Sequence, residues 1–168
     1  MMKVHHVTYS AIHEAAHAYA ALLASGGPIL VHRSTGKRQG EDAPGISFWP
    51  QRMELYDIVF TLLAGMAAER RAREEFGDPA PLDAIIEAGR DDLDFLANLG
   101  IEIPDLERAL RLVEEDQAEN WQDLLRLAVH IQRAWDEGIE EFEIGEDDLL
   151  QILQHGADRM KAQGNGEG

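Results

Sequence analysis

Apolar residues recur at helical spacing along most of the chain. Ile12, Ala15, Ala16, Tyr19, Leu22 and Leu23 predict a first helix, capped by Thr8 or Ser10 and stopped at Ser25-Gly26-Gly27-Pro28. Two short apolar runs of strand type follow, Ile29-Leu30-Val31 and Gly45-Ile46-Ser47-Phe48-Trp49, and the polar loop Ser34 to Pro44 between them fits a hairpin. A second helix is expected from Arg52 to Phe76, with Leu55, Ile58, Val59, Leu62, Leu63 and Met66 on one face and Gly77-Asp78-Pro79 as its stop. Pro81 to Asn98 reads as a third helix. Asp105 caps a long pattern running to Glu137-Gly138, whose apolar seam includes Leu110, Val113, Leu124, Ile131 and the core anchors Trp121 and Trp135. Ile139 to Ile144 alternates and predicts an extended segment; Asp147 to Lys161 predicts a last helix. The pattern describes a mainly α protein with a small β-sheet (α+β). It reads as a single domain over residues 1–162, with a flexible tail at 163–168.

Composition narrows the function. In 168 residues, 45% are hydrophobic, enough to build a core, while 15 basic side chains face 32 acidic ones for a net charge of -17. Such a balance repels phosphate backbones and anionic lipid surfaces, which argues against nucleic-acid and membrane partners. The excess is local: residues 1–60 hold 5 basic and 5 acidic side chains, and residues 101–168 hold 6 and 18. The downstream helices are therefore where solubility, or a basic protein partner, is to be sought. The chain has no cysteine, so a metal must be held by His and carboxylates. With no apolar leader and no long apolar run, a cytoplasmic protein is expected.

The sharpest chemical signal is His13-Glu14-Ala15-Ala16-His17, an HExxH motif inside the first helix. Residues i and i+4 share a helix face, so both imidazoles can bind one tetrahedral ion. Glu14 lies about 100° further round, beside the ion's open position, where a carboxylate can take a proton from water. Two His leave the ligand set one short. His5, His6, His32, His130, His155 and a carboxylate are the candidates, among them the aspartates of Glu87 to Asp94, and spacing alone selects none of them.

In order along the chain, the motif and its continuation Ala18 to Leu23 resemble the zinc helix in the peptidase domain of FtsH-type ATP-dependent metalloproteases. Ala43-Pro44-Gly45-Ile46-Ser47-Phe48-Trp49-Pro50 is similar to that family's following strand, and Leu62-Leu63-Ala64-Gly65-Met66-Ala67-Ala68-Glu69 to its small-residue helix. Gly89-Arg90-Asp91-Asp92-Leu93 is similar to the segment supplying its aspartate ligand. The resemblance implies a zincin-like helical peptidase domain. His13, His17 and Asp92 would bind Zn2+, with Asp91 the alternative to Asp92, and Glu14 would be general base and acid. An edge strand at Ile46, Ser47, Phe48 and Trp49 would take a peptide substrate by strand addition. Glu69 would orient a zinc-bound His, or else is a solvated carboxylate beside Arg70 and Arg71.

Ala16 departs from the family, which usually has Gly there. No G-x-x-x-x-G-K-[ST] phosphate loop and no membrane anchor occurs in these residues, so a separate ATPase partner would have to supply unfolding. The expected activity is zinc-dependent hydrolysis of peptides or unfolded proteins by a stand-alone domain, with homo-oligomerisation open. The alternative is a non-catalytic zinc-binding interaction module on the same scaffold.

Overall fold

A computed structural model describes residues 6–25, 27–33, 45–47 and 53–154. The architecture is mainly helical with a small antiparallel sheet. Helix α1 spans Tyr9–Ser25 and α2 spans Leu55–Glu75. These two form the central pair, with α6 (Trp121–Asp136) on α1 and α5 (Leu106–Gln117) on α2. Two short helices, α3 (Leu82–Ala88) and α4 (Arg90–Asn98), pack on α2. Among the described residues no helix is long and apolar enough to cross a membrane.

Small side chains explain the central pair. Ala11, Ala15, Ala18 and Ala21 of α1 and Ala64, Ala67, Ala68 and Ala72 of α2 are completely buried. A helix surrounded by protein on all sides must be apolar all round, and alanine permits this while letting backbones approach closely. The motif helix is thus held in the core and not laid on its surface.

Thr8 starts α1, its hydroxyl accepting from the Ala11 amide at 3.2 Å; Ser10 is already inside the helix. The Thr8 amide and hydroxyl both donate to Gln132 Oε1, at 3.1 and 2.7 Å, which ties the entry of α1 to α6. Helix α2 ends in a Schellman turn: Gly77 takes a φ of 76°, its amide bonds Glu74 O, and the Asp78 amide bonds Arg73 O at 2.8 Å.

Strand β1 (Ile29–His32) pairs antiparallel with β2 (Gly45–Ser47), Val31 facing Ile46, as the hairpin pattern predicts. The extended segment at 139–144 supplies β3 (Glu141–Ile144), which pairs with the other side of β1. The order β2-β1-β3 leaves β2 at an edge, against α1.

Several expected boundaries shift. The second helix starts at Leu55 instead of Arg52, after the non-helical residues Met53 and Glu54. Pro81 to Asn98 is two helices broken at Gly89, where φ is -102° and a Cβ would overlap the Met66 side chain. The long pattern from Asp105 is interrupted by a 3-10 turn at Ala118–Asn120 between α5 and α6. Asp105 does cap it, accepting from the Arg108 amide at 3.0 Å, and Trp121 and Trp135 are buried. Residues 146–154 are helical; the expected remainder of that helix and the tail at 163–168 lie outside the described residues.

Candidate metal centre

One turn of α1 places His13, Glu14 and His17 in the interior, all three buried. The α1–α2 crossing decides which way they are held. His17 Nδ1 donates to the Thr61 carbonyl of α2 at 2.6 Å, and His13 Nδ1 lies 3.2 Å from Glu69 Oε2 on the same helix. A carbonyl oxygen and a carboxylate can only accept, so each imidazole carries its proton on Nδ1 and turns Nε2 inward. The two rings meet edge to face, 4.7 Å apart.

Asp92 comes from the first turn of α4. Its Oδ2 stands 3.2 Å from His13 Nε2 and 3.2 Å from His17 Nε2. Asp91 is exposed. Among the described residues His13, His17 and Asp92 are the group able to converge on a cation, with donor atoms all within 4.8 Å of one another. His32 and His130 do not join them: His32 is in β1, and the His130 ring packs on Phe142, 6.0 Å away. His6 is exposed and does not join the group either; His5 and His155 lie outside the described residues.

Three observations fit this group to a divalent metal ion. Two imidazole nitrogens and a carboxylate oxygen are a donor set that divalent metals, zinc among them, accept, and bonds of about 2.0–2.2 Å set tetrahedrally put donors about 3.3 Å apart, close to the 3.2 Å from Asp92 to each imidazole. Gly65 provides the room, since a Cβ there would stand 2.5 Å from both Nε2 atoms. Among the described residues Glu14 Oε2 is buried without a hydrogen-bond partner, a costly arrangement unless something at the site engages it.

Electrostatics agree. Burial opposes charge on His13, but hydrogen bonds to Asp92 and Glu69 carry its pKa up to about 10. His17 is also raised, burial again being outweighed, here by Asp92. Burial would raise Asp92, yet the charge of His17 and the hydrogen bonds of both His hold it well below the usual carboxylate range. Burial pushes Glu14 up to about 7, against the pull of His13 and His17. The neighbouring carboxylates thus favour protonation of the two imidazoles, and a metal must displace any proton on Nε2.

Glu69 is buried, which rules out the solvated reading. Its Oε1 accepts from Arg73 Nε at 3.0 Å while Oε2 holds His13. Burial works against its ionisation, but His13 and Arg73 keep its pKa below the ordinary value. Arg70 and Arg71 turn elsewhere, to Glu114 at 2.6 Å and over the Trp121 ring at 4.4 Å. Ala16 is buried, so the core accommodates its methyl. Of the expected substrate strand, Ile46 and Ser47 fall in β2; Phe48 and Trp49 lie outside the described residues.

Sequence reasoning passed over Gly65, Thr61, Arg73 and Asp78. An isolated Gly inside a helical pattern and a Glu–Arg pair four residues apart were the available signals for two of them. A backbone acceptor such as Thr61 O leaves none. Comparison of the chain with protein-family models, with curated proteins and with solved structures found no match.

Proposed function

We propose that this chain is a zinc-dependent peptidase with a zincin-like, FtsH-peptidase type of site, acting on peptides or unfolded segments. The observation that carries the reading is the buried convergence of His13, His17 and Asp92 with the unpartnered carboxylate oxygen of Glu14 beside them. His13, His17 and Asp92 would hold the ion. Zinc bound there supplies Lewis acidity, polarising a carbonyl and acidifying water.

The chain's own residues do the rest. Thr61 O and Glu69 fix the imidazole tautomers, so neither ring has to reorganise during turnover. Glu14 accepts a proton from the water that adds to the scissile carbonyl carbon. It then delivers that proton to the departing amine as the C–N bond breaks. A carboxyl whose pKa is pushed toward neutrality suits both halves of that exchange. Strand β2, at the sheet edge against α1, is the surface on which an extended peptide would add a strand, which favours main-chain over sequence recognition.

The test is zinc content together with cleavage of casein or an unfolded peptide by the wild-type chain and by Glu14→Gln. Zinc retained by both, with cleavage lost only in the variant, is the expected result. Zinc without cleavage by the wild type would favour the non-catalytic module instead, and metal-dependent cleavage by Glu14→Gln would overturn the role of Glu14.

A further inference from the structure

Resting on the metal-centre reading above, we propose that Arg73 is a positioning residue of that centre, acting through Glu69 on the His13 ligand. Glu69 divides its two oxygens: Oε2 holds His13 Nδ1, and Oε1 accepts from Arg73 Nε at 3.0 Å, with a terminal nitrogen of the same guanidinium in ion-pair contact at 3.0 Å. A carboxylate held at one oxygen alone can swing about its last side-chain bonds. Gripped by a planar fork at the other, it presents a fixed acceptor to the imidazole.

Arg73 is itself fixed. Its remaining terminal nitrogen lies 3.2 Å from Asp78 Oδ2, and its guanidinium lies over the Tyr9 ring at 4.1 Å. The Schellman turn at Gly77 delivers Asp78 to that place, because the bond from the Asp78 amide to Arg73 O folds the chain back over the last helical turn. A chain of contacts therefore runs from the end of α2 to the ring of His13. His17 has no need of one, since a backbone carbonyl orients it.

Charge supplies a second reason. The two charges of a zinc ion are matched by Asp92 and Glu14, and Glu69 is then a third carboxylate in the same buried neighbourhood. Arg73 is the cation that contacts it. The contrast with Arg90–Glu87 is informative: that pair is exposed on both sides and joins only the two residues to each other, the kind of ion pair that contributes little.

The test is a double-mutant cycle on the full chain, reading zinc affinity by competition with a chromophoric chelator. Arg73→Ala is expected to weaken zinc binding by about 10- to 100-fold in the wild-type background and by less than about threefold when Glu69 is already Gln. Loss of the Tyr9 contact alone would cost the same in both backgrounds. The visible bands of the cobalt-loaded protein should shift in Arg73→Ala and shift no further in the double variant. If Arg73→Ala does not fold, Arg73→Lys takes its place in the cycle, keeping the charge but not the fork. Equal losses in the two backgrounds, or wild-type affinity and cobalt bands in the Arg73 variant, would overturn the proposal. A wild-type chain that binds no zinc would overturn the metal centre itself, a result distinguishable from either.

Discussion

Gly65→Ala adds one methyl group where α2 meets the two imidazoles of α1. Two effects of opposite sign compete. Alanine in a helix interior is favoured over glycine by about 1 kcal/mol, so propensity alone predicts a more stable α2. Against this, the new Cβ would lie 2.5 Å from both Nε2 atoms and 2.6 Å from His13 Cδ2. Restoring ordinary contact near 3.5 Å requires each ring to retreat by about 1 Å. Neither ring is free to do so: both hang from a helix whose Ala11, Ile12 and Ala15 are completely buried, and both are tethered at Nδ1, to Glu69 and to the Thr61 carbonyl.

The helices must therefore part, or the rings must leave their tethers. Overpacking of this kind costs about 1–3 kcal/mol, so the metal-free variant should lose up to about 2 kcal/mol after the gain in propensity. Zinc binding suffers more, because donor positions tolerate only about 0.2 Å and the methyl occupies the space between them. An affinity loss of at least 100-fold, about 2.7 kcal/mol, is expected. Chelator competition measures the affinity, and thermal unfolding of the metal-free protein measures the stability, where each kcal/mol moves the midpoint by about 2–4 °C. A Gly65→Ala protein that binds zinc within threefold of wild type and melts at or above the wild-type temperature would refute the argument.

Three further outcomes are expected. Glu14→Gln should bind zinc like the wild type and lose cleavage by about 100-fold or more, measured on an unfolded peptide. Asp92→Asn should cut zinc affinity by more than 100-fold while Asp91→Asn leaves it unchanged, and equal effects in the same chelator titration would mean the aspartate is misassigned. The metal-free protein should lose stability between pH 6 and pH 10. His13, raised to about 10, contributes stability that is whole below its ordinary 6.5 and lost as pH climbs through 10; Glu14, raised to about 7, acts in the same direction from 4.5 upward. Zinc stabilisation should grow over the same window as the donors shed protons, and a metal-free melting temperature that rises from pH 6 to 10 would contradict the sign.

Much of this was legible in one dimension because its causes are local. Helix α1, its motif and the cap at Asp105 follow from spacing and from side chains that bond within a few residues. What escaped depends on partners far along the chain. The residue at the break between α3 and α4 is a glycine against which Met66 packs too closely for a Cβ, and β3 finds β1 across about a hundred residues. The turn at Ala118–Asn120 follows Gln117, whose buried amide donates to Ala64 O at 3.0 Å, and periodicity carries no trace of that contact. At the site, the HExxH pair is plain in the sequence and Asp92 was indicated by the family resemblance alone, but Gly65 matters through what it lacks. Arg70, Arg71 and Arg73 stand almost side by side in the sequence, yet the three guanidiniums go to three different places.

The tie between Thr8 and Gln132 bears on the order in which the centre can form. His13 and His17 are neighbours in any helical turn, so a partly folded chain can already offer a metal two nitrogens. Asp92 joins them only after a loop of 79 residues has closed, and the bond that fixes the start of α1 waits for α6, 124 residues from Thr8. Contacts of such span are slow to form, since chain entropy is lost before any bond repays it. A fragment cut after α4 would keep every donor and still lack the clamp on its first turn. The complete centre therefore depends on two long-range closures, and not on the motif helix alone.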